Sequence, residues 1–300
     1  MKTRKLRACG LVLALAALLG QQLGAQGTQG PQTNRHSLWR LSGERATVYL
    51  LGSVHLFKGA DYPLAAPIER AFTNAAIAAF ETDIAELERR ALQPETLART
   101  MLSEGETFRE QLSPRTYGLF TNCATEMGLP LFVLERLKPV MAAVALVELE
   151  CKKQGFEPEN GIDMHYYKLA RKQGKSLLAL ESVDFQLDLL TSFSREENEL
   201  LVKSTLEEIR TIREEFGDIL KAWRSGDAAG LEKLLNSMAA EAPAVFKRLV
   251  SDRSERWAPK IEALSRGTNN AIVIVGAAHL VGKNGVVELL RRRGLRVDQE

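Results

Sequence analysis

Short apolar runs, each closed by glycine, proline or a charged residue, alternate with longer stretches of helical period along most of this chain. Residues 38–41 and 46–52 flank the turn text Ser42-Gly43-Glu44-Arg45 and predict a hairpin of two strands. Further short runs at 75–80, 128–134, 176–180, 270–275 and 295–297 are predicted as strands. Between them, Pro67 suits the first turn of a helix running to Asn74. Residues 84–128 carry helical patterns broken at Pro94 and Pro114, and 139–150 reads as a mostly apolar, buried helix. Asp163 is a predicted N-cap for a helix through Ala170 that stops at Gly174, and Ser182 caps the next. Residues 184–265 are helical and heavily charged, and 285–293 forms a helix whose closing arginines complement its dipole. This alternation predicts an α/β core with a long helical insertion at about 184–265, as a single domain over 37–300.

The first residues change that picture. Lys2, Arg4, Lys5 and Arg7 precede an apolar, acid-free stretch at 8–20, too short to span a bilayer comfortably. Leu23-Gly24-Ala25 then offers small residues for cleavage before Gln26. Residues 1–25 are therefore expected to be a signal peptide, with an uncleaved anchor as the alternative, and 26–36 a flexible leader. The expected destination is the periplasm or the medium. The formal charge of +2 comes from 40 basic and 38 acidic residues; without the four basic residues of the signal it becomes 36 against 38, or −2. No basic excess remains to recruit nucleic acid, and no later apolar run is long enough for a membrane span. An apolar share of 45% with 26% charged residues excludes a disordered tail, a collagen or a coiled-coil rod. Cys123 and Cys151 remain after the signal, either as a disulfide or as two buried thiols.

One device occurs twice. Leu50-Leu51-Gly52-Ser53-Val54-His55 and Ile274-Val275-Gly276-Ala277-Ala278-His279 are each an apolar strand followed by Gly-x-x-His. Glycine at a strand end permits a tight turn or a close approach. The imidazole then lies at the carboxyl edge of the sheet, where open α/β sheets hold ligands. Two other runs end on carboxylates, Phe80 into Glu81 and Leu180 into Glu181. Two imidazoles with a carboxylate form a donor set for a divalent ion such as Mn, Co or Zn, and a second carboxylate can act as general base. Taken singly, each of these residues reads more often as an ordinary hydrogen-bonding or ion-paired side chain, and it is the repeat of the pattern that favours a site.

These residues carry a resemblance to the TraB/PrgY/GumN family, which is related to the Tiki membrane metalloproteases. The resemblance runs from Leu38-Trp39 to about Val297. It includes Tyr62-Pro63-Leu64, Phe80-Glu81-Thr82-Asp83, Leu137-Lys138-Pro139, Gly161-Ile162-Asp163, Leu180-Glu181 with Phe185-Gln186-Leu187, and the block from Val275 to Val297. It implies a mixed sheet flanked by helices and a metal site of His55, Glu81 and His279. Glu181 is then the general base or a further ligand. In Asp252-Arg253-Ser254-Glu255-Arg256-Trp257, serine stands where the family usually has asparagine. Arg253 either positions substrate or pairs with Asp252 or Glu255 as an exposed helical arginine. Asp163 is a substrate-binding candidate beside its N-cap role. His165 is expected to be exposed, His36 to lie idle in the leader, and Trp223 and Trp257 to be packing residues.

The expected function is an exported metal-dependent hydrolase, a peptidase by resemblance, acting on a peptide or small molecule. The alternative is a non-catalytic protein of the same fold that sequesters a peptide or signal.

Overall fold

The computed structural model describes residues 35–209 and 212–300, so the predicted signal peptide and most of the leader lie outside the described residues. Six strands form one sheet: β1 (Leu38–Ser42), β2 (Thr47–Ser53), β3 (Ile77–Phe80), β4 (Ser176–Ala179), β5 (Ala271–Gly276) and β6 (Val297–Gln299), in the order β4-β3-β5-β2-β1-β6. β2, β5, β3 and β4 run parallel, and β1 joins β2 and β6 antiparallel. The sheet is therefore mixed, with helices around it. β5 is buried at every position, as its unbroken Ala-Ile-Val-Ile-Val text requires of a central parallel strand covered on both faces.

Before the edge strand β4 come α1 (Ala66–Asn74), α2 (Ile84–Ala91), α3 (Pro94–Thr100), α4 (Pro114–Glu126), α5 (Leu131–Leu134), α6 (Pro139–Lys153) and α7 (Ile162–Lys172). Between β4 and β5 lie α8 (Val183–Thr191), α9 (Arg195–Glu208), α10 (Ile212–Arg224), α11 (Ala228–Glu241), α12 (Pro243–Phe246) and α13 (Asp252–Ser265), then α14 (Val286–Arg292) follows β5. The insertion is helical as predicted. α13 is entered through a π-helical turn at Lys247–Ser251.

Three expectations need correction. Residues 128–134 form no strand: Gly128 ends α4 at φ 73°, and Leu131–Leu134 is one turn of helix after Pro130. Four apolar residues cannot distinguish the two by period, and proline favours helix initiation. The last strand lies later than 295–297, because the Leu295 N–H is spent on Leu290 O in the C-terminal cap of α14, with Gly294 at φ 83°. The N-cap of α7 is Gly161, while Asp163 lies inside its first turn.

Cys123 and Cys151 are unbridged thiols, Cys151 being buried. Of the leader, residues 35 and 36 are described, and His36 N–H donates to Glu300 O at the sheet edge. No helix among the described residues is long and apolar enough to cross a membrane.

Candidate functional site

The four parallel strands end side by side and so present their next residues together. His55 follows β2, Glu81 follows β3, Glu181 follows β4 by two residues, and His279 closes a single turn after β5. Just past the strands, the Glu181 N–H donates to Glu81 O at 2.8 Å and keeps the two acidic residues abreast. Gly276 lies beneath the group. A Cβ there would stand 3.3 Å from Glu81 Oε1, 3.4 Å from His55 Nε2 and 3.6 Å from His279 Cδ2. The glycine thus keeps open the space over which two imidazoles and a carboxylate converge, and its own N–H donates to Glu81 Oε1 at 2.8 Å.

Each imidazole is held through Nδ1. His55 Nδ1 donates to Asp163 Oδ2 at 2.9 Å, which turns Nε2 toward Glu81 Oε1, 4.0 Å away. Ser254 Oγ donates to Val250 O at 2.9 Å and so faces His279 Nδ1, 3.1 Å away, with a lone pair. His279 therefore carries its proton on Nδ1 and presents the Nε2 lone pair to the site.

Arg253 occupies the middle. It is only 8% exposed, so the exposed-arginine reading is replaced, and Asp252 pairs with Lys247 instead. Its Nη2 donates to Glu81 Oε2 and Glu181 Oε1, each at 2.5 Å, and its Nε to both Glu181 oxygens at 3.1 Å. Nη1 donates to Leu249 O and to His279 Nε2, both at 3.2 Å. Trp257 stacks near the guanidinium and His279 and donates from Nε1 to Glu181 Oε2 at 3.2 Å.

The electrostatics divide the pairs. Burial alone would lower the His55 pKa, but Asp163, aided by Glu81, raises it to about 9. Burial and then Arg253 lower that of His279 to about 3. Burial opposes the charge on Glu81, yet Arg253, the two imidazoles and the Gly276 N–H hold its carboxyl well below the usual range. For Glu181, burial outweighs Arg253 and raises the pKa. Near neutral pH the site therefore holds one imidazolium, one neutral imidazole and a firmly ionised Glu81.

The donor chemistry suits a divalent ion: two imidazoles with hydrogen-bonded Nδ1 atoms, a carboxylate, and an open cradle over Gly276. As arranged, no three or more His, Cys, Asp and Glu side chains among the described residues form a ligand group, because the Arg253 guanidinium stands against Glu81 and His279. Four buried polar atoms lacking a partner among the described residues gather at these strand ends: Ser53 Oγ, Thr82 Oγ1, Asp163 Oδ1 and Gln186 Oε1.

The six residues singled out by sequence, His55, Glu81, Asp163, Glu181, Arg253 and His279, are thus neighbours. Sequence reasoning missed Ser254, the Trp257 contacts, and Gln186, whose Nε2 lies 3.5 Å from Glu81 Oε2 and 3.4 Å from Glu181 Oε1. The spacing of Arg253, Ser254 and Trp257, one helical face by i, i+1 and i+4, was the available signal. His165 is not exposed as expected: it is half-buried and stacked on Tyr62, ring centroids 3.7 Å apart. Trp223 is a packing residue, and its indole donates to Gly52 O at 2.6 Å.

Proteins named uncharacterized protein YbaP from Shigella flexneri and Escherichia coli (strain K12) are each 22% identical to this chain. The matches cover 84% and 81% of the chain and 90% and 87% of the relatives. An uncharacterized protein from Treponema pallidum (strain Nichols) is 22% identical over 86% of the chain and 80% of its own length. No solved structure matches. Residues 37–299 match the profile of the TraB/PrgY/gumN family, nearly the whole span that the sheet and its helices occupy. The chain belongs to the TraB/PrgY/gumN family.

Proposed function

We propose that this chain is an exported, metal-dependent hydrolase that cleaves peptide bonds. The observation that carries the reading is the convergence of His55, Glu81 and His279 over Gly276. His55 Nε2, once its proton is released, Glu81 Oε1 and His279 Nε2 are the atoms that would hold the ion, Mn, Co or Zn. The ion would supply polarisation of the scissile carbonyl and a lowered pKa for a water.

The protein's own groups do the rest. Asp163 fixes the orientation of His55 through Oδ2 and leaves Oδ1 to accept from a substrate N–H. Glu181, whose pKa is raised by burial, takes the proton of the attacking water and returns it to the leaving amine. Arg253 steadies both carboxylates and offers charge to the oxyanion that develops on the carbonyl. The peptide preference rests on the family resemblance, and export on the basic and apolar text of residues 1–25.

The test compares the purified protein with a His55→Ala/His279→Ala double variant for metal content and for turnover of a peptide library. Bound metal and cleavage in the first and neither in the second support the reading; equal metal in both sinks it. Uncleaved peptides bound equally with and without Mn, Co or Zn would instead make the chain a sequestering protein.

A further inference from the structure

The Nε2 atom of His279 has one lone pair, and two cations have a claim on it. Ser254 Oγ accepts from the Nδ1 side, so Nε2 cannot carry the proton, and Arg253 Nη1 donates to it at 3.2 Å. Glu81 can serve two partners at once, since Oε2 receives Arg253 and Oε1 faces His55. Conflict between Arg253 and a metal is therefore confined to His279. Of the remaining bonds of the guanidinium, Nε and Nη2 grip the Glu181 carboxylate, Nη2 also reaches Glu81 Oε2, Nη1 also donates to Leu249 O, and the Trp257 ring lies 4.7 Å away. Withdrawal of Nη1 would break its bonds to His279 Nε2 and Leu249 O and leave the Nε and Nη2 bonds to Glu181 as the pivot.

We propose that Arg253 is the resident cation of the metal-free site and gives up His279 Nε2 when a divalent ion binds, pivoting on Glu181. This rests on the metal-dependent reading above. It gives Arg253 two roles. In the empty site it is the cation hydrogen-bonded to both Glu81 and Glu181, two buried carboxylates that lie abreast. In the loaded site it is held back against Glu181, next to the place where negative charge develops on substrate. The affinity for metal is accordingly weaker than the ligands alone would give, since each ion must first break a hydrogen bond to a charged donor.

Titration with Co(II), followed by its visible absorption and by calorimetry, tests this on the wild type, Arg253→Lys and His279→Ala. Lysine keeps the charge but lacks the fork that reaches Glu81, Glu181 and His279 together. Arg253→Lys should bind Co(II) about tenfold tighter, the worth of one charged hydrogen bond, and His279→Ala should weaken it. Equal or weaker binding by Arg253→Lys overturns the exchange while leaving the metal reading intact. No Co(II) binding by any of the three overturns both. The wild type supplies a second measurement that needs no variant to fold. Its Arg253 guanidinium nitrogen resonances should shift as diamagnetic Zn(II) is added, and resonances that stay fixed while zinc binds would also overturn the exchange.

Discussion

At Gly276 a single hydrogen keeps the site open. Gly276→Ala meets no backbone obstacle, since φ is −47°. Its new methyl would instead stand against Glu81 Oε1 and His55 Nε2 at 3.3 and 3.4 Å. We expect a melting temperature within a few degrees of wild type, with peptide turnover down by about 10²-fold, because shifts under an ångström at the reacting groups are that costly. Calorimetry and kinetics on the same preparation check it. Arg253→Met should behave oppositely: it removes the guanidinium shared by the buried Glu81 and Glu181 and should cost about 3–5 kcal/mol in urea unfolding. The imidazoles set a pH signature in metal-free buffer. His279, at about 3 when folded, makes stability fall as pH drops below 6.5, since the unfolded chain binds that proton and the folded one does not. His55, at about 9, adds stability that is complete below 6.5 and lost as pH rises through 9. Unfolding followed from pH 4 to 10 should peak near 6.5, and a flat profile would refute the assignment. Four of these side chains were legible in the sequence because each ends an apolar run. Ser254, Trp257 and Gln186 were not, because the site residues that Ser254 and Trp257 touch, His279 and Glu181, and Glu81 beside Gln186, are distant in the chain and only packing joins them.

At the scale of elements, the strands followed from their texts wherever a buried neighbour demanded an apolar run, as with β2 and β5. The sequence misled where such a run was short and half exposed: in α5, Leu134 is buried while Phe132 is 75% exposed, so no sheet face required those residues. β4 is the converse. It is a true strand, yet all four of its residues are exposed, including Leu178 at 44%, and it has no charge, proline or bulge to guard its free edge. Such an edge invites pairing with other chains. Leu178→Lys should leave urea stability within about 0.5 kcal/mol and reduce aggregation on heating, as read by light scattering. Faster aggregation of the lysine variant would show that another surface is responsible. The entry to α13 is a third case. Its π-helical turn carries Leu249 and Val250, whose carbonyls receive Arg253 and Ser254, and no period in the text marked that widening.

Over the whole molecule, the insertion is fastened to the sheet by buried bonds. Ser37 Oγ donates to Trp223 O at 2.9 Å, and the Trp223 indole returns a bond to Gly52 O, at the start of the first Gly-x-x-His. Helices and sheet should consequently unfold together, with far-ultraviolet dichroism and tryptophan fluorescence giving one midpoint. Trp223→Phe should lower stability by about 1–3 kcal/mol, because the Gly52 carbonyl is left buried without a donor. Two separated transitions in the wild type would divide the insertion from the core. The sheet order has a consequence for biosynthesis. β5 lies between β2 and β3, so the second and third strands made have no pairing between them until nearly the whole chain has left the ribosome. A nascent polypeptide thus carries His55 and Glu81 on unclosed strands, without His279 or Gly276. The site we propose is complete only with the final stretch of synthesis, when β5 enters between β2 and β3.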